Sequence, residues 1–178
     1  MATRIHPTAI VESGAEIGPD CELGPYAVVF GRVRLGARNR VHAFAVLGDV
    51  PQDKKAGGEA TFVEIGDDNV FREHVTVHRG TRRSEATRIG SNNLFMVGAH
   101  VAHDVAIGSH VVVANAVQLA GHTVVEDYAT FGGLAGLAQF VRMGESAFVA
   151  AGAVVAGYPA QPRMRWLRAL ARLYRHSR

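Results

Sequence analysis

A six-residue period of large apolar residues runs through almost the whole chain. Counting every sixth residue from Ile5 to Val155 gives 26 positions, and 23 of them are large and apolar. Only Asp53, Glu59 and Arg83 interrupt the series. A period of six fits neither a helix of 3.6 residues per turn nor a strand that alternates every two residues. It is typical of short strands joined by tight turns, with three hexads forming one triangular coil.

Two further positions of the hexad carry their own signatures. The residue four places after the large one stays small, as in Ala9, Ala99 and Ala135. Glycine often follows the large residue directly, as Gly18 and Gly108 do. We expect the large residue to fill the interior of a prism and the small one to lie at a corner, where glycine or asparagine accepts positive φ. An antiparallel sandwich would instead need alternating faces and hairpin turns every 8–12 residues.

The hexads resemble those of the hexapeptide-repeat acyltransferases. This resemblance implies an all-β solenoid, a left-handed parallel β-helix, and the handedness rests on the resemblance alone. We predict a β-helix domain at 1–157 with an inserted loop at about 49–62, where the period lapses into polar, glycine-rich sequence. A basic amphipathic α-helix is predicted at 158–178, covering the open end of the solenoid.

Composition narrows the classes of protein to which this chain can belong. Its 178 residues suit one domain, and the lone Cys21 suits a reducing compartment. No apolar run has the length of a signal peptide core or a membrane span, so we expect a soluble, cytoplasmic protein. Six of the 19 basic residues are arginines in the last sixteen positions, which leaves 13 basic against 16 acidic residues elsewhere. This balance argues against nucleic acid as a partner and favours an acidic protein for the tail.

The richest cluster of proton-transfer groups lies at 99–108. In coils of three hexads, His103 stacks on Gly121, which stacks on Gln139, and Asp104 stacks on His122. A neutral histidine can take a proton near pH 7, and a carboxylate can fix its tautomer. A backbone N–H at a glycine can hold an oxyanion. This set suits direct acyl transfer from a thioester to a hydroxyl or amine.

Two other classes of protein remain open on the residues alone. A zinc enzyme of the γ-type carbonic anhydrase kind would use three histidines per metal, but the separation of His100 and His103 differs from its usual spacing. We therefore expect no metal. A scaffold without catalytic activity is the other alternative, and the set of His103, Asp104 and Gly121 argues against it.

Several stretches beyond the hexads resemble one family closely, the acyl-(acyl-carrier-protein)–UDP-N-acetylglucosamine O-acyltransferases that start lipid A synthesis. The histidine–aspartate motif and the Gln-Asp-x-Lys loop are its most specific features. The matching stretches lie at residues 5–11, 52–55, 63–66, 75–81, 93–96, 99–104, 119–122 and 132–140.

The resemblance implies a role for each matching residue. His103 would be the general base, Asp104 would orient it, and the Gly121 N–H would be the oxyanion donor. The implied substrate-binding residues are Gln52, Lys55, His78, His100, His122 and Gln139. Among them, Lys55 would contact phosphate. The resemblance also implies acyl carrier protein as the acyl donor, a 3-hydroxyacyl chain, a homotrimer with clefts shared between neighbours, and no cofactor.

Two departures from the family pattern concern the acceptor. Family members carry a longer C-terminal part that grips the nucleotide, and Ala138 stands where they typically have histidine. The sequence therefore leaves open a related amino sugar, or a different acceptor in specialised metabolism, in place of UDP-N-acetylglucosamine.

Overall fold

A computed structural model of the protein describes residues 2–54, 56–58, 60–82 and 86–156. These residues form 23 short strands, numbered β1 to β23 in chain order, in three parallel sheets. The first sheet contains β1 (Arg4–Ile5), β4 (Glu22–Leu23), β7 (Arg40–Val41), β10 (Val70–Phe71), β13 (Leu94–Phe95), β16 (Val112–Val113), β19 (Thr130–Phe131) and β22 (Phe148–Val149).

The second and third sheets complete the triangle. The second contains β2 (Ile10–Val11), β5 (Val28–Val29), β8 (Val46–Asp49), β11 (Thr76–His78), β14 (His100–Val101), β17 (Gln118–Leu119), β20 (Gly136–Leu137) and β23 (Val154–Val155). The third contains β3 (Glu16–Ile17), β6 (Val33–Leu35), β9 (Phe62–Ile65), β12 (Ala86–Ile89), β15 (Ala106–Ile107), β18 (Val124–Val125) and β21 (Arg142–Met143).

The large hexad residues form the core, as the period predicts. Phe71, Phe95 and Leu119 are fully buried, and the rings of Phe71 and Phe95 stack with centroids 4.9 Å apart. Every strand pairs in parallel with a strand of a neighbouring coil, and most partners are three hexads apart, as Arg4 and Glu22 are. The described part of the chain is therefore a parallel β-helix.

Two insertions interrupt the regular spacing of three hexads. Val33 pairs with Val63, five hexads further on, so two extra hexads leave the prism between β8 and β9. Phe62 pairs with Ala86, four hexads further on, so one extra hexad leaves it between β11 and β12. Both insertions are whole hexads, which keeps the repeat in phase. The described residues of the first insertion contain no strand or helix. The amphipathic helix predicted at 158–178 lies outside the described residues.

The expectation that glycine and asparagine take the positive φ angles is wrong for most corners. Fifteen described residues other than glycine have positive φ, and Asn92 is the only asparagine among them. The residue at each such corner directly precedes the small residue, as Leu134 precedes the buried Ala135. The corner N–H generally donates to the neighbouring coil, as His110 does to the Ser91 carbonyl at 3.0 Å, and this bond offsets a conformational cost of about 1–2 kcal/mol per residue.

The glycines that follow the large residues serve close approach of neighbouring coils. A Cβ at Gly90 would lie 2.6 Å from the carbonyl oxygen of Gly108 and 2.6 Å from Ser109 Oγ. A Cβ at Gly66 would lie 2.8 Å from the Gly90 carbonyl oxygen in the same way. Side chains are therefore excluded at Gly66 and Gly90 by the backbone of the next coil.

Buried asparagines join the coils at the corner between the third and first sheets. Asn39 Oδ1 accepts hydrogen bonds from both the backbone N–H and the side-chain amide of Asn69, at 2.9 and 3.0 Å. Asn69 Oδ1 accepts the N–H of Asn93 at 3.0 Å, and Asn93 Oδ1 accepts that of Val111 at 2.7 Å. All three asparagines are buried, and this asparagine ladder satisfies their amides.

Among the described residues there is no helix of the length and apolar character that a membrane crossing requires.

Replacing Gly90 by alanine is expected to lower the free energy of unfolding by about 1–3 kcal/mol, because the new methyl group must push the Gly108 carbonyl away. Circular dichroism during heating measures the change as a lower unfolding temperature. Gly133→Ala is the matched control, since its Cβ would meet nothing closer than the Asn115 carbonyl oxygen at 3.6 Å. Equal unfolding temperatures for the two variants would contradict the close-approach argument.

Candidate active site

The candidate site lies at the corner between the second and third sheets, where the chain turns from β14 to β15. His103 and Asp104 occupy this turn, and Asp104 has a φ of 59°. Both side chains are almost fully buried, with 7% and 6% of their surface exposed. A buried carboxylate is costly unless hydrogen bonds compensate it, so the hydrogen-bond partners of Asp104 decide how His103 is held.

Asp104 holds His103 through a short hydrogen bond. His103 Nδ1 lies 2.8 Å from Asp104 Oδ2. An ionised carboxylate only accepts hydrogen bonds, so the neutral form of the ring carries its proton on Nδ1 and its lone pair on Nε2. This is the tautomer that a general base requires.

Thr81 holds Asp104 in turn. Its backbone N–H donates to Asp104 Oδ1 at 2.9 Å and its hydroxyl donates to Oδ2 at 2.7 Å. Burial by itself would raise the pKa of Asp104, but the hydrogen bonds from Thr81 and His103 outweigh it and hold that pKa below its usual value. The carboxylate is therefore ionised at neutral pH.

His122 approaches the same carboxylate from the next coil. Its Nε2 lies 3.6 Å from Asp104 Oδ2, and its ring meets that of His103 edge-on with centroids 5.1 Å apart. On its other side the ring of His122 stacks on Phe140 at 4.8 Å. Stacking fixes the plane of this imidazole beside the His103–Asp104 pair.

Two further histidines, His78 in β11 and His100 in β14, lie on neighbouring strands of the second sheet. The rings of His78 and His100 meet edge-on at 4.9 Å, and Thr76 Oγ1 lies 2.7 Å from His100 Nδ1. Burial, assisted by the nearby His78 and His103, lowers the pKa of His100 to about 4. Burial likewise lowers the pKa of His78, against the opposing effect of Asp49. Both rings are neutral at pH 7, and the buried His78 Nδ1 has no hydrogen-bond partner among the described residues.

An open cavity of about 440 Å³ joins these groups. Six of the nine predicted site residues line it, namely Gln52, His78, His100, His103, Gly121 and Gln139. Asp104 lies behind His103, and His122 contacts Asp104 without lining the cavity. Lys55 lies outside the described residues. The structure thus brings most of the predicted residues together, and their roles stay predictions.

Gly121 lies against the ring of His103. A Cβ at this position would be 2.7 Å from His103 Nε2. The neighbouring N–H groups of Ala120 and His122 donate to the carbonyls of Leu137 and His103, whereas that of Gly121 has no acceptor within the described part of the chain. A free N–H beside the base is the geometry that an oxyanion donor needs.

Sequence reasoning missed the threonines of the site. Thr81 and Thr76 contact Asp104 and His100, and the Thr87 hydroxyl accepts the Asp104 N–H at 2.9 Å. The second insertion separates Thr76 and Thr81 from their partners, so a stacking distance of three hexads does not find them. Thr87 stacks on Val105, three hexads later, but its hydroxyl bonds to the preceding residue, Asp104. The one available signal was that Thr76 and Thr81 belong to the family-like stretch 75–81.

His103, Asp104 and His122 also form the one metal-compatible cluster among the described residues, with ligand atoms within 4.8 Å of one another. Two imidazoles and a carboxylate are able to bind zinc. Here, however, both carboxylate oxygens already accept hydrogen bonds from Thr81, and His103 Nδ1 is at hydrogen-bond distance from Oδ2. The hydrogen-bonded arrangement suits a proton relay better than a metal site.

Together, the coils of hexads and the histidine-lined cavity define a β-helix protein of the hexapeptide-repeat class. No family model matches the sequence. Curated relatives from two strains of Anaeromyxobacter dehalogenans, named acyl-(acyl-carrier-protein)–UDP-N-acetylglucosamine O-acyltransferase, are 46% identical over 164 residues, which is 82% of this chain. The chain spans 64% of the length of these relatives.

Solved structures agree with this similarity. LpxA from Acinetobacter baumannii is 32% identical with a TM-score of 0.70, covering 95% of this chain and 76% of that one. The UDP-N-acetylglucosamine acyltransferase from Campylobacter jejuni is 32% identical with a TM-score of 0.77, covering 89% and 69%. The chain belongs to the acyl-(acyl-carrier-protein)–UDP-N-acetylglucosamine O-acyltransferase family. The predicted fold class, a left-handed parallel β-helix, is confirmed.

The lowered pKa of His100 predicts how stability depends on pH. Between about 6.5 and about 4 the unfolded chain binds a proton at this residue and the folded chain does not, so stability falls as pH falls through that range. Denaturant unfolding at pH 7 and pH 5 measures the loss. We expect His100→Gln to lose less stability over this interval than the unmodified protein. An identical loss in both proteins would contradict the prediction.

Proposed function

We propose that the protein is an O-acyltransferase that moves an acyl chain, of the 3-hydroxyacyl type, from acyl carrier protein to a hydroxyl group of UDP-N-acetylglucosamine or a related amino sugar. The observation that carries this proposal is the His103–Asp104 pair, whose Nε2 lies beside Gly121 at an open cavity. The names of the relatives support the choice of donor and acceptor.

The proposed reaction has two proton transfers and one intermediate. The acceptor oxygen bonds to the thioester carbonyl carbon while His103 Nε2 takes the hydroxyl proton, and Asp104 stabilises the resulting imidazolium. The carbonyl oxygen becomes an oxyanion, for which the Gly121 N–H is the proposed donor. The carbon–sulfur bond then breaks and His103 returns the proton to the thiolate. The thioester itself is the activated donor, so no cofactor is needed.

The substrate-binding roles follow the lining of the cavity. Gln52, from the first insertion, and Gln139, from a later coil, would contact the sugar nucleotide together with His100. The unpartnered Nδ1 of His78 would meet another polar group of a substrate. His122, which contacts Asp104 without lining the cavity, would help to bind the acceptor. Lys55 would contact phosphate.

One cavity residue bears on the choice of acceptor. Ala138 lines the cavity and leaves room where the family typically has histidine. This difference supports an acceptor other than UDP-N-acetylglucosamine itself, such as a related amino sugar.

The activity test uses thiol release from carrier-protein thioesters, with and without UDP-N-acetylglucosamine. Replacing His103 by alanine is expected to reduce the rate by about 10²–10⁴-fold, because the base is lost. Gly121→Ala should also be slow, since its methyl group would displace the His103 ring. His42→Ala, next to β7 of the first sheet and away from this cavity, is the control and should remain active.

The same assay with different acceptors distinguishes UDP-N-acetylglucosamine from another amino sugar. Release that needs both His103 and the nucleotide sugar supports the full proposal, and release that needs His103 but occurs with another amino sugar supports the alternative acceptor. Release that is unaffected by His103→Ala would overturn the mechanism.

A metal enzyme of the γ-type carbonic anhydrase kind is the candidate from another class, and the cluster of His103, Asp104 and His122 is the observation in its favour. Elemental analysis of the purified protein distinguishes it. Stoichiometric zinc together with CO₂ hydration and no acyl transfer would replace the acyltransferase proposal.

We also propose a cytoplasmic homotrimer in which a second copy completes each cavity. Leu134 and Val154 line the cavity with 72% of their surface exposed, and such apolar exposure at a site favours coverage by another chain. The buried, free Cys21 suits a reducing compartment. Light scattering coupled to size exclusion should give three times the 19.0 kDa mass of the chain. Leu134→Glu should shift the mass toward the monomer, and a monomeric unmodified protein would contradict the trimer.

A further inference from the structure

The insertion between β11 and β12 brings polar partners to the candidate site. The chain leaves the prism after His78 and returns at Ala86. Thr81 lies within this insertion and Thr87 lies just after it. Thr81 bonds to the side chain of Asp104, and Thr87 bonds to its backbone. Thr81 donates its N–H and hydroxyl to the carboxylate, whereas the Thr87 hydroxyl accepts the backbone N–H of Asp104.

The hydrogen bond from the Asp104 N–H to the Thr87 hydroxyl is unusual among the corners of this β-helix. At most corners the N–H of the positive-φ residue donates to a backbone carbonyl of the preceding coil, as those of His110 and His122 do. At Asp104 that acceptor is replaced by the side chain of Thr87, which is fully buried. The N–H of Tyr26 also meets a threonine hydroxyl, that of Thr8, but there the threonine is exposed and its hydroxyl lies 2.9 Å from Nδ1 of the exposed His6, not beside a buried histidine–aspartate pair.

The consequence concerns the orientation of one carboxylate. Asp104 Oδ2 accepts both from the Thr81 hydroxyl, at 2.7 Å, and from His103 Nδ1, at 2.8 Å. With Oδ1 fixed by the Thr81 N–H at 2.9 Å, the carboxylate is held at three points and cannot rotate away from the imidazole. We propose that Thr81 and Thr87 are positioning residues, which fix Asp104 so that His103 keeps its proton on Nδ1 and its lone pair on Nε2.

The other groups that face this pair are histidines. His122 approaches Asp104 Oδ2 from the next coil, and His78 and His100 line the same cavity as His103, which acts on both of them electrostatically. His78 and His100 are neutral at pH 7, and no lysine or arginine donates to Asp104 among the described residues. Thr81 thus provides the fixed donors to the carboxylate that a cation would otherwise supply, and Thr87 provides an acceptor for the Asp104 N–H. This role rests on the proposed function only where catalysis is concerned, because the tautomer of His103 exists without substrate.

The test uses ¹⁵N nuclear magnetic resonance of the histidine side chains, which reports the fraction of neutral His103 that carries its proton on Nδ1. Thr81→Val removes the hydroxyl and keeps the shape, so we expect this fraction to fall, and Thr81→Ser should restore it. Thr87→Val should lower it as well. Thr8→Val is the matched control, because the Thr8 hydroxyl accepts the corner N–H of Tyr26 at 3.1 Å, far from His103 in the first coils.

Thiol release adds a kinetic readout. Thr81→Val should lower kcat about tenfold with little change in KM, as expected when one hydrogen bond to a charged group is lost, and Thr81→Ser should recover most of it. A folded Thr81→Val protein with an unchanged His103 tautomer would overturn the proposal. If the unmodified protein shows no acyl transfer, the proposed function fails, and the resonance experiment still decides the positioning role.

Discussion

The parallel hydrogen-bond ladder between successive coils is the interaction on which the rest of the structure depends. It brings the backbones at Gly90 and Gly108 so close that a side chain cannot fit between them. It also stacks the large hexad residues into one apolar column and repeats every corner at the same place. Each coil buries its interior only against its neighbours, so stability accumulates along the stack.

The candidate site shows how such a regular scaffold acquires chemistry. A regular coil offers the same corner again and again, and a charge buried at one of them would be costly. Here a carboxylate is buried at 6% exposure because an insertion delivers the donors that compensate it. His78 and His100 are neutral at pH 7, so these two residues give the cavity hydrogen-bonding groups without a fixed positive charge. A regular coil thus carries the His103–Asp104 pair, and the second insertion carries Thr81, which donates to the carboxylate.

The hexad period was sufficient to predict the solenoid, its core and the three hexads that make up a regular coil. The stacking distance of three hexads also placed Gly121 on His103 and His122 beside Asp104. The same rule fails across the insertions, because Thr76 meets His100 at a distance of four hexads. Both insertions are whole hexads, so the apolar pattern does not show where the distance changes. Corner conformations were mispredicted for a related reason: inter-coil bonds override the local preference for glycine.

The asparagine ladder has a consequence for how motion can spread through the molecule. Asn39 and Asn69 belong to the coils on either side of the first insertion, and Asn69 and Asn93 to those on either side of the second. The amides are thus concentrated where the chain twice leaves the prism, on the corner that the insertions do not use. If either insertion moved, the coils on its two sides would remain joined to each other by these asparagine hydrogen bonds. Substrate-dependent rearrangement near the cavity can therefore stay local, without transmission to the interior column.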